Sequence, residues 1–187
     1  MAICVIDTET TGLKAGEAEI IEIALVRRSG FHREVFVTKV RMDRPEKASA
    51  KVLEINGYNE ADWKDAPAFA EVADKVASML AGATVIAHNT KFDVAMLRGD
   101  FSTKLGRDLD IGEQVDTIDL CKSFLKPLGL ANNKLDTVRE FLNWPKDGAH
   151  TALFDAETCE RLYRLLHKAG WYTRFVIKVC RRFGWKV

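Results

Sequence analysis

No stretch of this chain approaches the roughly 18 uncharged residues that a membrane-spanning helix needs. The longest candidate is the short run over residues 77–87. The first residues, Met1-Ala2-Ile3-Cys4-Val5-Ile6-Asp7, show neither the basic region nor the small-residue cleavage site of a secretory signal, so no membrane association and a cytoplasmic location are expected. Cysteine is scarce. Cys4, Cys121, Cys159 and Cys180 lie at long spacings with no CxxC pair, which excludes a zinc knuckle or dithiol redox site and leaves small hydrophobes in a reducing compartment. There is no Gly-x-Ser-x-Gly elbow and no P-loop, and Cys4 falls inside an apolar run, so hydrolases with a protein nucleophile are disfavoured. Internal repeats and low-complexity linkers are missing too. Acid is absent from the last part of the chain: beyond Glu160 stand eight basic residues and no Asp or Glu, so an acidic body carries a basic tail although the net charge is only +1.

What is present is an ordinary globular composition, 187 residues with 47% hydrophobic and 29% charged side chains, enough for one domain. Apolar runs at residues 2–7, 20–26 and 31–40 have strand length and are bounded by Gly and polar residues. From Pro67 the period changes. Phe69, Val72, Ala73, Val76 and Leu80 recur at helical spacing, with Asp65 as the expected cap and Gly82 as the stop. A short strand is predicted at 84–87, and helices at 91–98, 117–125, 134–142 and 152–168. Residues 41–66 and 99–115, with Pro45, Gly57, Gly99, Gly106 and Gly112, are expected to be loops. The fold class is therefore α/β, with three antiparallel strands followed by strands joined through crossover helices. Residues 1–170 form the domain and 171–187 a basic amphipathic helix packed on it.

Several carboxylates occupy positions that favour apolar side chains. Asp7 and Glu9 continue the strand face begun by Ile3 and Val5. Asp93 has Met96 and Leu97 at i+3 and i+4, and Asp155 has Cys159, Leu162 and Leu166 on its face, so both stand on core-facing helical stripes. No basic residue is expected on these faces. Burying unpaired carboxylates costs several kcal/mol, roughly, and a set of four is tolerable only with cations. Hard oxygen donors select Mg²⁺ or Mn²⁺, and two such ions about 4 Å apart serve phosphodiester hydrolysis. His150, placed on a loop before its helix, is positioned to take a proton from an attacking water near neutral pH.

Taken together, Val5-Ile6-Asp7-Thr8-Glu9-Thr10-Thr11-Gly12-Leu13, His88-Asn89-Thr90-Lys91-Phe92-Asp93 and His150-Thr151-Ala152-Leu153-Phe154-Asp155-Ala156 resemble the three motifs of the DnaQ-like 3′→5′ exonucleases, in the DEDDh branch. The resemblance implies a ribonuclease H-like fold and two-metal hydrolysis that releases nucleoside 5′-monophosphates from nucleic-acid 3′ ends. It further implies Asp7, Glu9, Asp93 and Asp155 as metal ligands and His150 as general base. Thr8, Thr10, Thr11, Gly12, Leu13, His88, Asn89 and Phe92 would surround the substrate, Leu13 against the terminal base and Glu9 near the 3′-hydroxyl. Single-stranded DNA is the expected substrate. The alternatives are an exoribonuclease, a polymerase-associated proofreading subunit, or a non-catalytic nucleic-acid binding module; protein partners are left open. For the tail, the expectation is that Tyr172, Phe175, Val176, Val179, Cys180 and Phe183 dock on the domain while Arg174, Lys178 and Arg181 face phosphates.

Overall fold

The structure, a computed structural model, describes residues 2–146 and 151–187. Its centre is a five-stranded sheet in the order β3-β2-β1-β4-β5, built from β1 (Ala2–Thr10), β2 (Ile20–Ser29), β3 (His32–Lys39), β4 (Ala83–Ala87) and β5 (Gln114–Asp116). β1 pairs antiparallel with β2 and β2 with β3, whereas β4 runs parallel to β1 and β5 parallel to β4. This is the expected mixed sheet. The helices are α1 (Ala50–Ile55), α2 (Glu60–Trp63), α3 (Phe69–Leu80), α4 (Thr90–Leu105), α5 (Thr117–Phe124), α6 (Leu135–Phe141), α7 (Ala152–Leu166) and α8 (Trp171–Phe183). Among the described residues no helix is long and apolar enough to cross a membrane.

Alternation along β1 divides the core. Cys4 and Ile6 face α3 and α4, where they join Phe69, Val76, Met96 and Leu97. Ile3 and Val5 face the other way, onto Ala152, Ala156 and Cys159 of α7. A third cluster gathers α5, α6 and α7 around Cys121, Val138, Phe141 and Leu162, and Ile177 of α8 closes it. Each sheet face is thus covered, and β1, the central strand, ends where α4 and α7 begin.

Three expectations need correction. Residues 41–66 hold α1, α2 and a 3₁₀ turn at Pro45–Lys47, and residues 99–115 hold the end of α4 and the start of β5. Gly99 lies inside α4 and not in a loop; a Cβ there would come within 2.9 Å of the Gly16 nitrogen, so the glycine admits a close backbone approach. Second, α3 is capped by Glu71, whose Oε1 accepts the Ala68 N–H at 2.8 Å, and not by Asp65. Third, α8 docks on a shifted face: Val176, Val179 and Cys180 of the expected set are half-buried and Arg174, Lys178 and Arg181 exposed as expected, but the deepest contact is Ile177 and the rings of Tyr172, Phe175 and Phe183 stay in solvent. Ile177 is its one fully buried side chain, flanked by Arg174 over the Phe124 ring and Arg181 over the Phe141 ring. Phe175 and Phe183 point outward, 57% and 60% exposed. Arg174 and Arg181 border Ile177 while remaining exposed, their guanidinium groups reaching the Ser123 and Leu128 carbonyls and their planes covering rings.

Candidate active site

The pleat of β1 puts Asp7 and Glu9 on the face that Ile3 and Val5 cover with α7. Beyond those apolar residues the face meets the first turn of α7, which carries Asp155. In the strand register Asp7 sits opposite Ala24 and Glu9 opposite Glu22, so an additional acid stands beside the group. Asp93 arrives from the first turn of α4 and is buried. Its Oδ1 accepts the Thr8 N–H at 3.0 Å and the Thr8 hydroxyl at 2.8 Å, which ties α4 to the end of β1.

The entry to α4 is built for this. Asn89 adopts the left-handed conformation with φ of 81°, which Asn tolerates better than most residues. Asp116 holds it there: its carboxylate accepts the N–H groups of Asn89 and Thr90, at 3.1 and 3.2 Å, while capping α5 through the Ile118 N–H at 2.8 Å. His88 pairs through Nδ1 with the Thr117 hydroxyl at 2.8 Å and through Nε2 with the Asn133 carbonyl at 2.5 Å. Burial lowers its pKa. Neither ring nitrogen is left for a substrate, so His88 orders its loop. Phe92 is packed against the α3/α4 core, a structural position as well.

Electrostatics show that the acids share one place. Desolvation first, then the charges of Asp93, Asp155 and Glu9, push the Asp7 carboxyl well above its usual range. Glu9 is pushed up to about 7 by burial and by Asp155, Glu22 and Asp93. Burial likewise raises Asp93, against the hydrogen bonds from Thr8. Among the described residues no lysine or arginine forms an ion pair with Asp7, Glu9 or Asp93. Asp155 is different. The Arg139 guanidinium, from α6, binds Asp155 Oδ1 and also Asp136 Oδ1 at 2.8 Å and the Thr158 hydroxyl. The absence of any base on these faces is therefore overturned at Asp155, and sequence reasoning missed Arg139 because α6 and α7 meet only in the folded chain.

An all-carboxylate donor set, largely withdrawn from solvent at this strand end, fits hard divalent cations. As placed, no three carboxylate, histidine or cysteine side chains among the described residues stand close enough to hold a metal ion. One oxygen each of Asp93 and Asp155 is taken by Thr8 and Arg139, while among the described residues Asp7 and Glu9 have no such partner. Small side-chain adjustments at this strand end would have to complete a metal cage. His150 lies outside the described residues; Thr151, which follows it, is the N-cap of α7.

Beside the acids, β1 runs into a cleft of about 500 Å³ lined by Thr11, Gly12, Leu13, Lys14, Lys47 and Ser49, among others. Its floor is fixed: the Thr11 N–H donates to the Glu19 carbonyl at 2.8 Å, the Thr11 hydroxyl accepts the Glu19 N–H at 2.9 Å, and the Thr10 hydroxyl donates to the Gly12 carbonyl at 2.7 Å. A Cβ on Gly12 would press on Ala18 at 3.2 Å. Leu13 stands 81% exposed at the rim. Of the predicted substrate residues Thr11, Gly12 and Leu13 line this cleft, and Lys14 and Lys47 stand beside them unannounced by any motif.

The family profile described as "Exonuclease", of RNase T type, matches residues 4–163. The chain belongs to this exonuclease family. Its membership places it in the DEDD superfamily of DnaQ-like 3′→5′ exonucleases. It is 37% identical to a DNA polymerase III subunit epsilon-like protein of Rhodobacter capsulatus, over 96% of this chain and 26% of that protein. It is 30% identical to the DNA polymerase III subunit epsilon of Treponema pallidum, over 87% of this chain and 75% of that one. The exonuclease chain spans only 11% of a PolC-type DNA polymerase III of Caldanaerobacter subterraneus, which it also matches. In fold it is similar to E. coli Exonuclease I in complex with a dT13 oligonucleotide, with a TM-score of 0.74 at 16% identity, covering 89% of this chain and 41% of that one.

Proposed function

We propose that this chain is a metal-dependent 3′→5′ exonuclease that releases nucleoside 5′-monophosphates from the 3′ ends of single-stranded DNA. The observation that carries this reading is the convergence of Asp7, Glu9, Asp93 and Asp155 at one end of β1, where Asp93, Asp155 and Glu9 raise the proton affinity of Asp7, and Asp155 and Asp93 that of Glu9. These four carboxylates would hold two Mg²⁺ ions, with Mn²⁺ able to substitute. When bound, such cations supply charge neutralisation and Lewis acidity to a phosphodiester. Thr8 fixes one oxygen of Asp93 and Arg139 one oxygen of Asp155, so the free oxygens have defined directions.

His150 takes the proton of the attacking water. Water oxygen adds in line to phosphorus, the bond from phosphorus to the 3′-oxygen of the preceding nucleotide breaks, and that oxygen leaves on the shortened strand. Leu13 offers an apolar rim to the terminal base, and Glu9 lies near the terminal 3′-hydroxyl. Thr10, Thr11 and Gly12 shape the floor beneath them, and Lys14 and Lys47 face strand phosphates. The names of the epsilon relatives and the oligonucleotide bound to E. coli Exonuclease I support DNA as substrate. The match over 75% of the T. pallidum epsilon subunit favours a second reading, a proofreading subunit that acts beside a polymerase.

The test is His150→Ala, assayed with Mg²⁺ on a single-stranded oligonucleotide and titrated with Mn²⁺ by calorimetry. The rate is expected to fall about 10²- to 10⁴-fold with metal affinity retained. A wild-type rate contradicts the proton-transfer role, and lost metal affinity would make His150 a ligand.

A further inference from the structure

The floor of the cleft beside the acids is the irregular segment between β1 and β2, and the wall facing it carries Lys47 and Ser49. Neither belongs to the sheet, so the ties between them set the shape of the cleft. One buried acid grips both. Glu19, 1% exposed, ends the floor, where its backbone is paired with Thr11. Its side chain reaches the wall: Oε2 accepts the Arg44 N–H at 2.8 Å and Oε1 the Asp43 N–H at 3.4 Å. Arg44 opens the 3₁₀ turn, its carbonyl accepting the Lys47 N–H at 3.0 Å, and its Nη1 donates back to the Gly16 carbonyl at 3.3 Å. The Ser49 N–H donates to the Thr11 carbonyl at 2.9 Å.

This grip is anchored on α4. Lys104 Nζ lies 2.9 Å from Glu19 Oε1, 3.1 Å from Asp43 Oδ2 and 3.6 Å from Asp100 Oδ2, with its side chain 10% exposed. One turn earlier, the buried Asp100 accepts the Ile20 N–H at 3.1 Å, and Gly99 admits the Gly16 backbone. The same helix carries Asp93 in its first turn, about 16 Å along the axis from Lys104. A single rigid element thus holds one acid of the cluster near its start and both sides of the cleft near its end.

We propose that Glu19 and Lys104 are positioning residues for the terminal nucleotide: their buried link fixes floor and wall of the cleft against α4 and so sets the fit of a 3′-terminal nucleotide there. It rests on the exonuclease reading and adds to it two residues that lie outside the three motifs. A buried ion pair adds little stability over apolar packing of the same volume. What this one supplies is direction, since each carboxylate and backbone N–H meets its partner at one place.

Lys104→Met, Glu19→Gln and the double variant are compared with wild type by three measurements. These are calorimetric binding of thymidine 5′-monophosphate with Mn²⁺, steady-state digestion of a single-stranded oligothymidylate with Mg²⁺, and the melting temperature. Each single variant is expected to weaken thymidine 5′-monophosphate binding and to raise KM about tenfold. Its kcat should stay within about twofold of wild type, because binding is lost while the groups at the breaking bond are untouched. The double variant should bind no worse than either single one, since both remove the same link, yet melt above Lys104→Met, which leaves Glu19 buried without its cation. Should Lys104→Met not fold, Glu19→Gln, which keeps an amide oxygen for the Arg44 N–H, and the double variant carry the comparison. Affinity and KM at wild-type values in variants that melt lower overturn the proposal. So does a double variant whose affinity recovers in step with its melting temperature, for the link would then serve stability alone. A wild-type chain that binds thymidine 5′-monophosphate through this link but hydrolyses nothing refutes the exonuclease reading and not this one; hydrolysis with affinity and KM unmoved in the variants does the reverse, and absence of both binding and hydrolysis removes both.

Discussion

Arg139→Met removes the guanidinium and keeps most of the side-chain bulk. Arg139 is 1% exposed and serves Asp155, Asp136 and Thr158 at once, under the Phe154 ring. Deleting one partner of a buried pair costs about 3–5 kcal/mol, since the other charge stays behind unpaired. Asp155 and Asp136 retain side-chain exposures of 16% and 47%, so water recovers part of that loss and about 3 kcal/mol is the expected cost. For a chain of this size that lowers the melting temperature by about 6–12 °C in EDTA. The loss should shrink in Mg²⁺. A cation that binds only the native state adds about 2.7 kcal/mol at a hundredfold excess over its dissociation constant, and in the variant it also supplies the counter-charge that Asp155 has lost. Differential scanning calorimetry of both proteins, with EDTA and with Mg²⁺, reads this directly. A variant that melts within about 2 °C of wild type in EDTA, or that gains no more from Mg²⁺ than wild type does, would refute the reasoning.

Two further outcomes follow from the site. Glu9 has an ordinary value of 4.5 and is pushed to about 7 in the fold, so its ionised form carries a penalty of about 3 kcal/mol. That penalty is complete above pH 7 and is relieved as the pH falls from 7 toward 4.5, because the folded state takes up the proton first. Glu9→Gln should accordingly be more stable than wild type at pH 8 and equal at pH 4, in metal-free thermal melts; a constant difference across that range would contradict the assignment. Asp116→Ala should remove the α5 cap and the tether on Asn89 and Thr90 together, at about 1–2 kcal/mol by urea denaturation, and should slow hydrolysis through misplacement of Asp93. Undiminished stability would show that the tether is dispensable.

The sheet was legible because apolar runs of strand length alternate with helical periods, and the acids were legible because each interrupts such a period. Asp93 is conspicuous because Met96 and Leu97 follow it at i+3 and i+4, although the same face of α4 also buries Thr90 and Asp100. Partners separated in sequence were not legible. Arg139 reads as one more helical arginine until α6 lies against α7, and Glu22 reads as a strand residue until the β1–β2 register sets it opposite Glu9. Gly99 misled because a glycine that breaks a helix and a glycine that lets a loop approach one look alike in sequence. The docked face of α8 was displaced from the expected one for a related reason. Its hydrophobic face predicts burial, but the groove it meets offers carbonyls and rings that suit arginine, with room for only Ile177 between.

The most direct test of the four-carboxylate account is digestion of a 5′-labelled single-stranded oligonucleotide by the wild-type chain and by Asp7→Asn. With Mg²⁺ the wild type should shorten the strand one nucleotide at a time from the 3′ end and release nucleoside 5′-monophosphates, and both EDTA and Asp7→Asn should abolish the ladder. Continued digestion in EDTA, or an Asp7→Asn protein as fast as wild type, would contradict it.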